Sequence, residues 1–81
     1  MGTTERRVLK ELGSRIRAAR EAAGFTQEAV AARCGIDYKR YQRLEQGAVN
    51  TTIRTLLRVA RAMDMDFWGL LVGAGGRARG E

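Results

Sequence analysis

The sequence has no proline and no histidine, a single cysteine (Cys34), and only 6% aromatic residues. Each shortage excludes something. One cysteine cannot build a disulfide framework, and without histidine no Cys/His zinc site forms, so neither a metal nor a cofactor is expected. The imidazole that most often serves as general base or activates a nucleophile is missing as well. There is no glycine-rich phosphate loop after a strand, and an enzyme is not expected. No apolar run approaches the ~20 residues of a membrane span, and residues 1–20 lack the apolar core of a signal peptide. The expectation is a soluble, cytoplasmic protein in a reducing setting, with no membrane partner and no small-molecule ligand.

What is present is charge of one sign. Fifteen Lys+Arg against nine Asp+Glu leave +6 over 81 residues, and thirteen of the fifteen are arginine. Arginine suits bidentate contacts to phosphate and guanine, although a GC-rich genome also enriches it, so location decides more than number. From Arg33 to Arg61 there are seven basic and two acidic residues, whereas residues 1–32 hold six and four. The excess lies in the middle of a chain that, at 44% hydrophobic and 30% charged, is globular. A domain this small buries only about 60% of its unfolded surface, which calls for a compact core.

Helical periodicity supplies that core. Val8, Leu12, Ile16, Ala19 and Ala23 form one apolar stripe, with Thr4 as N-cap and Gly24 as C-cap. Gly13 sits inside this first helix and is expected to weaken its N-terminal part, leaving residues 1–10 as a fraying extension. Thr26 caps a second helix, Gln27–Cys34, with Val30, Ala31 and Cys34 apolar and Glu28 favouring the dipole. Asp37 opens a third, Tyr38–Gln46, whose Tyr41 and Leu44 share an inner face; Gly35 and Gly47 close these two. Thr52 caps a fourth carrying Leu56, Val59, Ala60 and Met63, and Asp66 a short fifth with Phe67, Leu70 and Leu71. Residues 73–81 read as a flexible Gly/Arg tail beyond an 11–72 domain. No segment alternates with period two, so the fold class is all-α.

Gly35-Ile36-Asp37 is too short for a parallel hairpin. A left-handed glycine, an apolar plug and an N-cap set two short helices at a steep angle: a helix-turn-helix. With Tyr41 and Leu44 inward, the second helix turns out Tyr38, Lys39, Gln42 and Arg43. Lysine and arginine donate to guanine, glutamine reads adenine, and tyrosine reaches phosphate or a thymine methyl. Any solvated helix face can carry such residues; their place on this helix, amid the local positive excess, makes them candidates for base contact.

Residues 12–71, about three quarters of the chain, resemble the phage repressor and Cro type of helix-turn-helix domain (XRE-like), a class that also holds restriction–modification controller proteins. The matching residues are Leu12-Gly13-Ser14-Arg15-Ile16-Arg17, Arg20, Gly24-Phe25-Thr26-Gln27-Glu28, Ala31, Gly35 and Leu44-Glu45-Gln46-Gly47. They continue through Asn50-Thr51-Thr52-Ile53 and Leu56-Leu57-Arg58-Val59-Ala60-Arg61-Ala62-Met63 to Leu70-Leu71. Each piece alone is weak; the ordered set is specific. The resemblance implies a five-helix, lambda-repressor-like domain that binds double-stranded DNA as a homodimer on a pseudo-palindromic operator.

It also implies roles residue by residue. Arg20 would pair with Glu45, a pairing that nothing in the residues alone suggests. Thr26 and Gln27 would meet a phosphate at a helix N-terminus, where free N–H groups and the dipole favour an anion. Asn50, Thr52 and Arg54 would clamp phosphates on the other side, with Gln46 and Arg40 as weaker candidates. Three departures stand out. Tyr41 replaces an aliphatic residue, so its hydroxyl needs a partner or the surface. Thr51 replaces a common proline, and Gly69 a helix former, which leaves the fifth helix less secure. Cys34 reads as a small core residue.

One helix-turn-helix contacts too few bases to specify a site, and two-fold symmetry doubles the contacts. Phe67 and Leu70 face the core, which turns Trp68 about 100° away and into solvent. Next to Met65, Leu71 and Val72 it makes an association patch, unless it lies flat on its own domain. In a dimer the recognition helices would stand roughly 34 Å apart. With no sensor domain in view, an autoregulating controller or small phage-type repressor is expected, as repressor or activator, with RNA polymerase a further candidate partner. The alternative is a protein-interaction module of the same fold, an antitoxin or a transcriptional bridging domain.

Overall fold

The structure is a computed structural model that describes residues 4–72; residues 1–3 and the 73–81 tail lie outside the described residues. Among the described residues it is entirely helical: α1 Glu5–Ala23, α2 Gln27–Cys34, α3 Tyr38–Gln46, α4 Ile53–Ala62 and α5 Phe67–Val72. The capping residues read from sequence set these limits. Thr4, Thr26, Asp37 and Thr52 each accept a hydrogen bond from the backbone N–H three residues on, which satisfies one of a helix's orphan donors. Gly24 and Gly47 end α1 and α3 in the left-handed region, as Gly35 does α2. Asp66 starts α5 by accepting from the Gly69 N–H at 3.1 Å.

The α2–α3 turn positions the site. Gly35 takes φ 72°, a conformation that a Cβ would strain, and the Ile36 N–H returns to the Ala31 carbonyl at 3.1 Å. Ile36 lies partly buried against the core, and Asp37 restarts the helix at once. α2 and α3 pack on each other, α1 lies across α3, α4 covers α2, and α5 closes on α1 and α4. Ile16, Val30, Tyr41, Val59 and Leu70 are fully buried at the centre, one from each helix.

Two expectations about α1 need correction. The apolar stripe is shorter than its periodicity suggests: Ile16 is buried and Leu12 and Ala19 pack on the core, but Val8 and Ala23 are exposed. α5 is short and covers α1 only in part, so the stripe outruns its partner. Gly13 is no weak point, because α1 runs unbroken through it. It is buried where α1 crosses the C-terminal turn of α3, and a Cβ there would stand 2.5 Å from the Leu44 carbonyl oxygen and as close to that of Glu45. The glycine is present for space. Gly47 answers it from the other side: a Cβ on it would meet the Lys10 backbone at 2.5 Å.

Candidate nucleic-acid interface

α3 is divided lengthwise. Tyr41, Leu44 and Glu45 are buried on one side; Tyr38, Lys39, Arg40 and Arg43 are exposed on the other, with Gln42 half-buried between them. Among the described residues, Lys39, Arg40, Arg43 and Arg54 form no ion pair, so their charge is available to a polyanion. Arg33, which counts toward the central positive excess, is differently employed. Its Nε donates to the Ala62 carbonyl at 2.7 Å, at the negative end of α4, and its guanidinium lies 5.1 Å from the Phe25 ring centroid.

The buried side of α3 ends in a polar cluster. Arg20 reaches Glu45 through two bonds, Nε to Oε2 at 2.7 Å and a terminal nitrogen to Oε1 at 3.2 Å, and also donates to the Phe25 carbonyl at 2.9 Å. The fork-to-carboxylate geometry joins α1 to α3 by the strong, bidentate form of ion pair. The Tyr41 hydroxyl donates to Glu45 Oε2 at 2.5 Å, and Gln27 Nε2 donates to Oε1 at 3.0 Å. The partner that Tyr41 needed is thus four residues along its own helix. Neither the Tyr41–Glu45 nor the Gln27–Glu45 bond was read from the sequence. The i,i+4 spacing of Tyr41 and Glu45 was the signal for the first; the second crosses two helices and left none.

Burial alone would push the Glu45 carboxyl up. The hydrogen bonds from Arg20, Tyr41 and Gln27, with the Arg20 charge, outweigh it and hold Glu45 below the ordinary carboxylate range. Burial, then the bond to Glu45, pushes the Tyr41 phenol well above its ordinary value, so it stays a donor. Burial also raises the Cys34 thiol, with Arg58 opposing, which keeps this core cysteine protonated.

The remaining candidates flank α3. Thr26 is exposed at the start of α2, its hydroxyl oxygen accepting from the Ala29 N–H at 3.0 Å. Gln27 also accepts from Gln42 Nε2 at 3.4 Å, and Gln42 Nε2 further donates to the Tyr38 hydroxyl at 3.2 Å. Gln46, Asn50, Thr52 and Arg54 are exposed on the α3–α4 side. Asn50 is already engaged, donating to Glu5 Oε2 at 3.1 Å and accepting from the Thr51 N–H at 2.8 Å. The Thr51 hydroxyl is buried without a partner among the described residues.

At the far end, Trp68 is 65% exposed and meets Phe67 edge-on at 5.3 Å between centroids, so it does not lie flat on its own domain. Val72 is exposed beside it, Met65 lines a shallow cleft with Leu57 and Phe67, and Leu71 turns toward Val8 and Leu12 of α1. Ile53 and Leu57 are also exposed, four residues apart on α4; the sequence reading passed over them. Among the described residues, no helix is long and apolar enough to cross a membrane.

A model of the helix-turn-helix family matches residues 16–67. The chain is similar to the restriction–modification controller protein C.AhdI from Aeromonas hydrophila. The two are 32% identical with a TM-score of 0.74, covering 76% of this chain and 94% of that one. Two further solved structures share the fold. A helix-turn-helix family transcriptional regulator from Vibrio cholerae is 19% identical with a TM-score of 0.81, over 90% of this chain and 41% of that one. The clp gene regulator ClgR from C. glutamicum is 22% identical with a TM-score of 0.78, over 98% and 100%. No curated protein matches by sequence.

Proposed function

The chain belongs to the helix-turn-helix family of DNA-binding transcription regulators, and from that premise we propose that it acts as a homodimer on a pseudo-palindromic operator, with α3 in the major groove. The observation that carries this reading is the division of α3: a buried side clamped by Arg20 and Glu45, and an outer side whose Lys39, Arg40 and Arg43 form no ion pair among the described residues. In this reading Tyr38, Lys39, Gln42 and Arg43 contact base edges. Thr26 and Gln27 at the start of α2, with Arg40, Gln46, Asn50, Thr52 and Arg54 across from them, contact phosphates on either side of the groove. Residues 11–72 form the working domain in this reading, with the first helix extending N-terminally from it to Glu5. The likeness to a restriction–modification controller protein supports a small regulator, and in this reading the regulator sets its own level through its concentration and the monomer–dimer equilibrium.

The test is competition binding across a salt series. Duplexes selected from a random pool should outcompete random DNA, and affinity should fall about a thousandfold from 50 to 200 mM salt if six phosphates are neutralised. Arg43→Ala should relax the preference at one base pair per half-site, costing about 1–3 kcal/mol on the selected duplex and little on random DNA. Equal losses on both would make Arg43 a phosphate contact. Weak, sequence-blind binding by the folded chain would overturn the regulator reading in favour of a protein-interaction module.

A further inference from the structure

The hydrogen bonds that join α2 to the outer side of α3 have a direction, and the buried ion pair sets it. Glu45, ionised beside Arg20, can only accept, so Gln27 must turn its amide nitrogen toward it. That leaves Gln27 Oε1 facing α3, and Gln42 must answer with its own nitrogen, as it does at 3.4 Å. The second hydrogen on that nitrogen goes to the Tyr38 hydroxyl at 3.2 Å. Both donors of Gln42 are then engaged within the protein. Its carbonyl oxygen is left without a partner among the described residues, and the Tyr38 hydroxyl, having accepted, is left to donate.

We infer that Gln42 is preset as an acceptor, so that it reads an exocyclic amino group (adenine N6 or cytosine N4) through one bond rather than gripping adenine at N6 and N7. The outer side of α3 then presents donors at Tyr38, Lys39 and Arg43 and a single acceptor at Gln42. Bidentate reading of adenine requires glutamine to accept from N6 and donate to N7. Donating to N7 would break either the bond to Gln27, leaving a half-buried acceptor unsatisfied, or the exposed bond to the Tyr38 hydroxyl, which stands in solvent. Specificity at this base pair is therefore set at second hand, by Gln27 on α2 and by the Arg20–Glu45 pair behind it.

This inference rests on the regulator reading, and the experiment separates the two. Duplexes are selected with the wild-type chain, and the base pair whose preference Gln42→Ala abolishes is identified. That pair is then rebuilt with a base lacking the exocyclic amino group, or with a 7-deaza purine lacking N7. For the wild type, relative to Gln42→Ala, amino-group removal should weaken binding about tenfold and the 7-deaza change should have no effect. Gln27→Ala, which frees one Gln42 donor, should make the 7-deaza change costly at that same pair. A wild-type loss from the 7-deaza base equal to that from the missing amino group would overturn the acceptor assignment. So would a Gln42→Ala chain that keeps every preference. A folded wild-type chain, by circular dichroism, that enriches no sequence at all would instead sink the regulator reading beneath it.

Discussion

Glu45 commits both carboxylate oxygens inside the protein, to Arg20, Tyr41 and Gln27. Replacing Arg20 by alanine strands a buried charge with two neutral donors, and should cost about 3–5 kcal/mol in urea denaturation. Glu45→Gln keeps one acceptor oxygen but turns an amide nitrogen toward the Arg20 donors and leaves the buried guanidinium without a counter-charge, so it too should destabilise the fold. The two variants separate in acid. Because the folded carboxyl titrates below its unfolded value, its contribution is complete above about pH 4.5 and is lost as pH falls through the depressed value. The wild-type midpoint should therefore fall on acidification below that point, with a slope that Glu45→Gln reduces; an unchanged slope would show that other carboxylates carry the acid sensitivity. Tyr41 acts at the opposite end. Its raised value means stability is full below the ordinary tyrosine range and declines as pH climbs past it, where the unfolded chain alone ionises.

At the scale of elements, one glycine separates two arguments. Helix propensity makes Gly13→Ala stabilising by about 0.5–1 kcal/mol. The contact with the α3 carbonyls makes it destabilising, by about 1–3 kcal/mol, because those oxygens belong to backbone and cannot yield as a side chain would. The second effect should win, giving a lower melting temperature, and should weaken operator binding further by shifting α3 relative to α1. The same residue marks how far the sequence could be read. Helix limits were legible because threonine, aspartate and glycine caps are local chemistry within three or four residues. The outer residues of α3 followed from periodicity once Tyr41 and Leu44 were turned inward. The close crossing at Gly13 and the Gln27–Glu45 bond depend on how helices meet, which no local pattern records. Arg20 and Glu45, 25 residues apart, were paired only through the family resemblance. Arg33 shows the opposite failure: a cation counted toward a binding surface is held to the end of α4.

For the whole molecule, the question is how a chain with one short reading helix reaches a site with useful specificity, and the exposed apolar side chains bear on it. Trp68 and Val72 stand in solvent on α5, and Ile53 and Leu57 on α4, where the cleft from Leu57 to Met65 and Phe67 links the two helices. Leu57, Trp68 and Val72, exposed on α4 and α5, suit a two-fold contact that leaves α3 of each copy free. Tryptophan at the centre of such a contact is typically worth about 2 kcal/mol or more, so in the proposed homodimer Trp68→Ala should weaken association about thirtyfold in sedimentation equilibrium. Leu57→Lys provides the second arm: if α4 shares the interface it should also shift the chain toward monomer, whereas an effect of Trp68 alone would confine the contact to α5. Because Trp68 is exposed, its loss should leave the melting temperature of the monomer nearly unchanged. Operator binding should then lose its two-fold character, each variant needing more protein to fill both half-sites of the same duplex. A Trp68→Ala chain of unchanged mass and unchanged operator affinity would remove α5 from the assembly and require the symmetry of the site to arise from another surface.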